Sequence, residues 1–171
     1  MPQTPELDPQ AFRHTLGHYA SGITIVTGIV EDEPVGFTCQ SFYSVSIEPP
    51  LVSFSVMKTS TTYPRIRGTG SFAINVLTHS QHAVSSQFAR SGADKWSGIS
   101  WAPAASGNPV IDGCLMWLDC ELWAEHEAGD HQIVIGRVRA MGRHGEEHTA
   151  EPLLFYKGRY RYLSGLEMIA S

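Results

Sequence analysis

CLMWLDCELWAEHEAGDHQIVIGRVRAMG, residues 114–142, is the stretch that decides the fold. Two long runs of aliphatic, aromatic and β-branched residues are separated by Gly129-Asp130. Such runs read as long strands, and the Gly-Asp pair between them reads as a turn. Working outward, the same signature recurs. ITIVTGIV, 23–30, is a strand pattern, EDEP is a polar turn and PVGFT starts a return strand, so a hairpin is expected there. In LVSFSVMK, 51–58, Val52, Phe54 and Val56 face one way and Ser53 and Ser55 the other. FAINVL, 72–77, is a further strand, and EPLLFYKGRYRYL, 151–163, closes as a hairpin turning at Lys157-Gly158. Helical patterns are few. Asp8-Pro9 reads as an N-cap and first helical residue, with Phe12, Leu16, Tyr19 and Ala20 at helical spacing and Gly22 as the stop. TSTTYPRIR is a hydroxyl-rich turn into a short helix, and HSQHAVSSQFAR, 79–90, is a helix expected to bury Ala83, Val84 and Phe88. Residues 91–113, rich in Gly, Ser and Pro, read as a long surface loop. About seven strands joined by short turns, with no βαβ rhythm, predict a mainly β, antiparallel barrel or sandwich with a few decorating helices. With no repeat, low-complexity block or linker, 171 residues suit one domain.

Composition excludes several classes. The chain is 42% hydrophobic and 17% charged with a net charge of −5, which fits a soluble globular protein. An isoelectric point near 5.9 argues against a nucleic-acid binder. Basic residues do gather late, at Arg137, Arg139, Arg143, Lys157, Arg159 and Arg161, as a solvated face or a local anion site. Cys39, Cys114 and Cys120 form no CxxC, which fits free thiols in a reducing compartment. MPQTPELDPQ lacks the basic and apolar regions of a secretion signal, and no apolar run approaches the ~20 residues of a membrane helix, so a cytoplasmic protein is expected.

The familiar chemical motifs are missing. Gly68-Thr69-Gly70 precedes a strand instead of opening a helix, and neither GK[ST] nor GxSxG occurs. His126, Asp130 and His131 invite a metal hydrolase reading, with His144 and His148 further on. Their spacing around the Gly turn suits neither one strand face nor one helix face, so no metal is expected. Cys39 as a nucleophile is weaker than Cys39 as a small packed residue. Two hydroxyl-rich rows are more informative. One runs Thr38, Cys39, Gln40, Ser41, Ser44, Ser46; the other holds Ser53, Ser55, Lys58, Thr59, Ser60, Thr61 and Thr62. Small donors with one cation suit a phosphate and a polar heterocycle. Ordinary turn and cap chemistry uses the same residues, so a non-enzymatic binding module stays open.

FRHTLGHYASGITIVTG, VGFTCQSFYSVSIEPPLVSFSV, KTSTT, GSFAINVL, QFA, GDHQIVIGRV and PLLFYKGRYRYL, taken in order from about residue 11 to 163, resemble the short-chain NAD(P)H:flavin oxidoreductases. These serve two-component flavin-dependent monooxygenases. The resemblance implies an FMN-binding split β-barrel of antiparallel Greek-key type, working as a homodimer. It implies hydride transfer from C4 of NADH or NADPH to N5 of FMN or FAD, with reduced flavin leaving for a separate oxygenase. It places the ring and ribityl chain against Gly36, Thr38, Cys39, Gln40, Ser41, Ser44, Ser53 and Ser55. The phosphate falls at Lys58, Ser60, Thr61 and Thr62, and further flavin contacts at Ser86, Phe88 and Ala89. His131 becomes the catalytic-site residue on the nicotinamide side, with Tyr156 and Arg159 holding the dinucleotide. Ala20-Ser21-Gly22 departs from relatives that carry Thr before the Gly, but Ser keeps the hydroxyl. Two rivals remain, a flavin carrier and an oxidase that retains its flavin. Because the cofactors carry the chemistry, no paired carboxylates or triad are needed.

Overall fold

The structure, a computed structural model, describes residues 7–143 and 150–163. His144 and His148 lie outside the described residues. In chain order the elements are α1 (Pro9–Leu16), β1 (Ser21–Gly22), β2 (Thr24–Val30), β3 (Glu33–Cys39), β4 (Tyr43–Ser46), β5 (Leu51–Met57), α2 (Tyr63–Thr69), β6 (Ser71–Val76), a 3₁₀ turn (His79–Gln81), α3 (His82–Ala89), β7 (Trp101–Pro103), β8 (Pro109–Ile111), β9 (Met116–Ala128), β10 (His131–Arg143), β11 (Leu154–Tyr156) and β12 (Arg159–Arg161). The long runs that flank Gly129-Asp130 are β9 and β10, paired antiparallel from His131 opposite Ala128 to Arg143 opposite Met116. Around them a seven-stranded sheet forms in the order β3-β2-β6-β9-β10-β5-β4. Strands beyond the expected tally are β1, β4, β7 and β8. Each is two to four residues long, too short for a period of two to register.

The sheet curls, and its two sides meet at a seam. No backbone ladder joins β3 to β5 among the described residues. Instead the Ser41 hydroxyl, just past β3, donates to the Ser55 carbonyl at 3.0 Å and accepts from the Ser55 N–H at 2.7 Å. One side chain thus supplies both partners that a neighbouring strand would have given Ser55. Inside the curl, Phe54 is fully buried, with its ring centroid 5.3 Å from Phe72, 5.9 Å from Tyr63 and 6.1 Å from Phe37. Outside it, Ile23, Ile25, Leu77, Phe88, Ile111 and Leu153 form a second core. Strand β2 therefore buries both faces, with Val26 in one core and Ile25 in the other.

Three expectations need correction. Helix α1 stops at Gly17, whose N–H bonds to Arg13 O, and buries none of its residues; Phe12, Leu16 and Tyr19 are exposed. Its start is as expected, with Asp8 accepting from Gln10 N and Ala11 N at 3.3 and 3.0 Å. Helix α3 buries Ser85 and Phe88 and leaves Ala83 exposed. The preceding 3₁₀ turn, closed by a Thr78–Gln81 capping box, sets a helical phase that points Gln81, Ser85 and Phe88 inward at i, i+4 and i+7. Ser53 does not face a surface; it is fully buried and donates to Val134 O at 2.9 Å. The period of two held, but β5 is covered on both sides at that point.

The expected loop at 91–113 carries the β7–β8 ribbon, and buried polar groups fasten it to the sheet. Asp119, 2% exposed, accepts from Ser106 Oγ at 2.6 Å and Ser106 N at 3.1 Å, and Asn75 Oδ1 accepts from Ile111 N at 2.8 Å. The C-terminal hairpin turns at Lys157-Gly158, with φ of 50° and 73°. Its β11 pairs with β1, and its Tyr160 hydroxyl sits 3.0 Å from Ser85 Oγ and 3.3 Å from Ser86 Oγ on α3. Among the described residues no helix is long and apolar enough to cross a membrane.

Candidate functional site

A groove of about 640 Å³ opens along the seam, within the range typical of small-molecule sites. Its walls come from four places: the end of β3 with the segment to Ser41, the second half of β5 with the turn to Thr62, the end of α3 with the loop to Lys95, and His131 at the head of β10. The chain brings these together for simple reasons. The Ser41–Ser55 pairing joins β3 to β5. The ladder between β5 and β10 sets His131 opposite Met57. Phe88 is held under β3 because Gly36 leaves room for it. A Cβ at Gly36 would meet Phe88 Cε1 at 2.9 Å and Val26 O at 3.0 Å.

The groove's hydroxyls divide into two sets. Some are spent on the backbone. Thr38 Oγ1 donates to Ser85 O at 2.7 Å, and Ser60 Oγ accepts from Tyr63 N at 3.1 Å at the start of α2. Ser41 is committed to Ser55. The side chains of Gln40, Ser55, Thr59, Thr61 and Thr62 have no hydrogen-bond partner among the described residues. Turn and cap chemistry therefore accounts for the first set and leaves the second for a ligand. Among the described residues no carboxylate lines the groove. Cys39 lies in its wall, and burial pushes its thiol above the ordinary range, so it stays a neutral S–H, 3.2 Å from Ser41 Oγ. This disfavours thiolate chemistry. His131 Nδ1 lies 2.7 Å from Asp130 Oδ1. That hydrogen bond and the charge of His131 hold the Asp130 carboxyl below its usual range. An ionised Asp130 can only accept, which places a proton on Nδ1, and Nε2 has no partner among the described residues.

Eleven of the expected site residues line this groove: Thr38, Cys39, Gln40, Ser41, Ser55, Ser60, Thr61, Thr62, Phe88, Ala89 and His131. Gly36 lies behind the wall, its carbonyl accepting from Lys95 Nζ at 3.2 Å. The others lie elsewhere. Ser44 is exposed on β4, and Ser53 is inside the sheet. Lys58 points to Glu127, 3.7 Å away on the β9–β10 hairpin. Ser86 binds Tyr160. Tyr156 and Arg159 belong to β11 and β12, where Tyr156 has Lys157 Nζ 5.3 Å from its ring. Among the described residues no three His, Cys, Asp or Glu side chains gather as a metal site. The groove is also lined by Thr59 of the second hydroxyl row, and by Phe37, Val56, Met57, Ser91, Gly92 and Lys95, which sequence reasoning did not assign to the site. The last three lie in the stretch set aside as a surface loop; the signal there was Asp94-Lys95-Trp96, charged and aromatic residues directly behind the QFA helix.

The donor set fits a flavin. The floor is apolar and aromatic, the walls carry small unpartnered donors, and among the described residues no acidic side chain lines the groove to oppose a phosphate. Comparison with known proteins agrees. The reductase subunit HsaB of a flavin-dependent monooxygenase from Mycobacterium tuberculosis is 43% identical over 155 residues, covering 91% of this chain and 82% of that one. The crystal structure of nitrilotriacetate monooxygenase component B from Mycobacterium thermoresistibile superposes with a TM-score of 0.91 at 39% identity, over 95% of this chain and 90% of that one. The NADH:FAD oxidoreductase SgcE6 of Streptomyces globisporus, solved with NAD and FAD fragments, gives 0.86 at 32% identity over 96% and 100%. A family model described as the flavin reductase like domain matches residues 16–164. The fold is thus the split β-barrel of the flavin reductases, and this chain belongs to the flavin reductase like domain family.

Proposed function

We propose that this chain is an NAD(P)H:flavin oxidoreductase that supplies reduced FMN or FAD to a separate monooxygenase. The observation that carries the reading is the groove along the Ser41–Ser55 seam, walled by unpartnered hydroxyls with His131 at its lip. When both are bound, the dinucleotide supplies a hydride and the flavin ring accepts it at N5. The chain's part is placement. Gln40, Ser55 and Phe88 hold the ring and ribityl chain along the Thr38–Ser41 segment, and Thr59, Thr61 and Thr62, with the backbone around Ser60, meet the phosphate. His131, its Nδ1 held by Asp130, presents Nε2 to the nicotinamide amide and sets the ring spacing near ~3–3.5 Å. The protein works as a cytoplasmic homodimer of single-domain chains. Surplus apolar surface supports the dimer, with Tyr43 and Val45 on edge strand β4 and Ile47 in the turn just after it exposed at 52%, 44% and 93%.

The test is direct. Purified chain with added FMN or FAD should accelerate NADH or NADPH oxidation, followed at 340 nm over the four pairings. A rate no faster than the flavin-free control in all four removes the enzyme. His131→Ala should slow the anaerobic reductive half-reaction on the order of tenfold or more, while flavin affinity moves far less. An unchanged hydride rate would show that His131 is a bystander.

A further inference from the structure

We propose that Lys95 supplies the counter-charge for reduced flavin, its ammonium holding the N1–C2 oxygen edge of the ring once the hydride has arrived. This deepens the flavin reading above and rests on it. Lys95 follows α3 and reaches back across the groove wall, where Nζ donates to Gly36 O at 3.2 Å. Among the described residues it has no carboxylate partner within ion-pair distance. Its chain neighbour Asp94 is turned to other work, with Oδ1 accepting from Trp96 N and Ser97 N, both at 3.2 Å. The other titratable groups on the wall are the neutral thiol of Cys39 and His131, which faces Asp130. Lys58, the cation expected from sequence, is not among the lining residues, and its Nζ lies 3.7 Å from the exposed Glu127. Lys95 is therefore the one lysine or arginine among the residues lining the groove. Burial pulls its ammonium below the usual lysine range, so an anion bound beside it would restore the charged form.

The reaction creates that partner. The C4–H bond of the dihydronicotinamide breaks, and both electrons and the hydrogen pass to N5, where a new N–H bond forms. The nicotinamide leaves as a cation. No second proton is delivered in the step, so the ring gains one negative charge, spread over N1 and the C2 oxygen. A cation fixed beside that edge binds the product state more tightly than the neutral oxidised ring, which is stabilisation that grows along the reaction. Placement favours the ring over the phosphate. Lys95 sits on the β3 and α3 side, against Gly36, while the unpartnered hydroxyls of Thr59, Thr61 and Thr62 lie past the end of β5 on the other side.

The experiment compares the full-length chain with Lys95→Met and Lys95→Arg. Riboflavin, FMN and FAD are titrated oxidised, by fluorescence quenching, and dithionite-reduced under anaerobic conditions, by absorbance. Lys95→Met should weaken binding of the reduced form about tenfold more than the oxidised form, shifting the bound potential about 30 mV more negative. Riboflavin should show the same difference as FMN and FAD, and Lys95→Arg should restore most of it. Equal losses in both oxidation states, no loss at all, or a loss confined to the phosphate-bearing flavins would overturn the proposal. If the unmodified chain binds none of the three flavins in either state, the flavin reading itself falls, and the Lys95 assignment falls with it.

Discussion

Phe54→Ala is expected to cost about 3–5 kcal/mol of folding stability and to lower the melting temperature by roughly 6–20 °C. Phe54 is fully buried at the centre of the curl, where it meets Phe72 and Tyr63 edge-on and Phe37 at a tilt. Truncation would leave a cavity lined by three rings belonging to β6, α2 and β3, which cannot all collapse inward together. Each edge-to-face pair also carries favourable electrostatics beyond the buried area. Thermal melts by circular dichroism check this. A melting point within a degree or two of the parent would mean that the core repacks and that Phe54 is not its keystone.

Ser41→Ala is expected to cost about 1–3 kcal/mol and to weaken flavin binding roughly tenfold. The loss follows from geometry. Without the hydroxyl, the Ser55 N–H loses its partner at the seam, and the Ser55 carbonyl is left with only the long contact from Cys39 Sγ at 4.0 Å. Cys39 Sγ, 3.2 Å from the same oxygen, loses the nearer of its two contacts. The groove wall and the barrel seam share this one atom, so stability and binding should fall together. Amide hydrogen exchange gives the check, because the Ser55 N–H should become faster-exchanging than in the parent. Unchanged protection at Ser55 would show that something other than Ser41 holds the two strands.

Much of the fold was legible because β-branched and aromatic runs with turn residues between them leave little choice. The β9–β10 pair, the β2–β3 hairpin and the Lys157-Gly158 turn all followed from local pattern. What local pattern lacked was tertiary context. Ser53 and Ser55 sit on the same face by period, yet one is sealed under Val134 and the other faces the seam. Helix α3, expected over 79–90, begins only at His82 and turned its face, because the 3₁₀ turn over His79–Gln81 takes its first residues and shifts the phase. For the site, the hydroxyl rows were visible as composition, but which hydroxyls serve the backbone was not. Lys58 and Lys95 illustrate the limit. The first stands in a promising motif and is not among the lining residues; the second stands in an unpromising loop that folds back on β3.

Among the residues lining the groove none comes from the C-terminal hairpin, but Tyr160 reaches the buried Ser85 and the half-buried Ser86 of α3, whose next buried residue is Phe88. The hairpin works as a backstop for the groove floor. A protease that clipped the chain near residue 150 would leave the ligand-facing surface chemically intact and mechanically unsupported. Damage there would register as poor grip on the ring, with every lining residue still present.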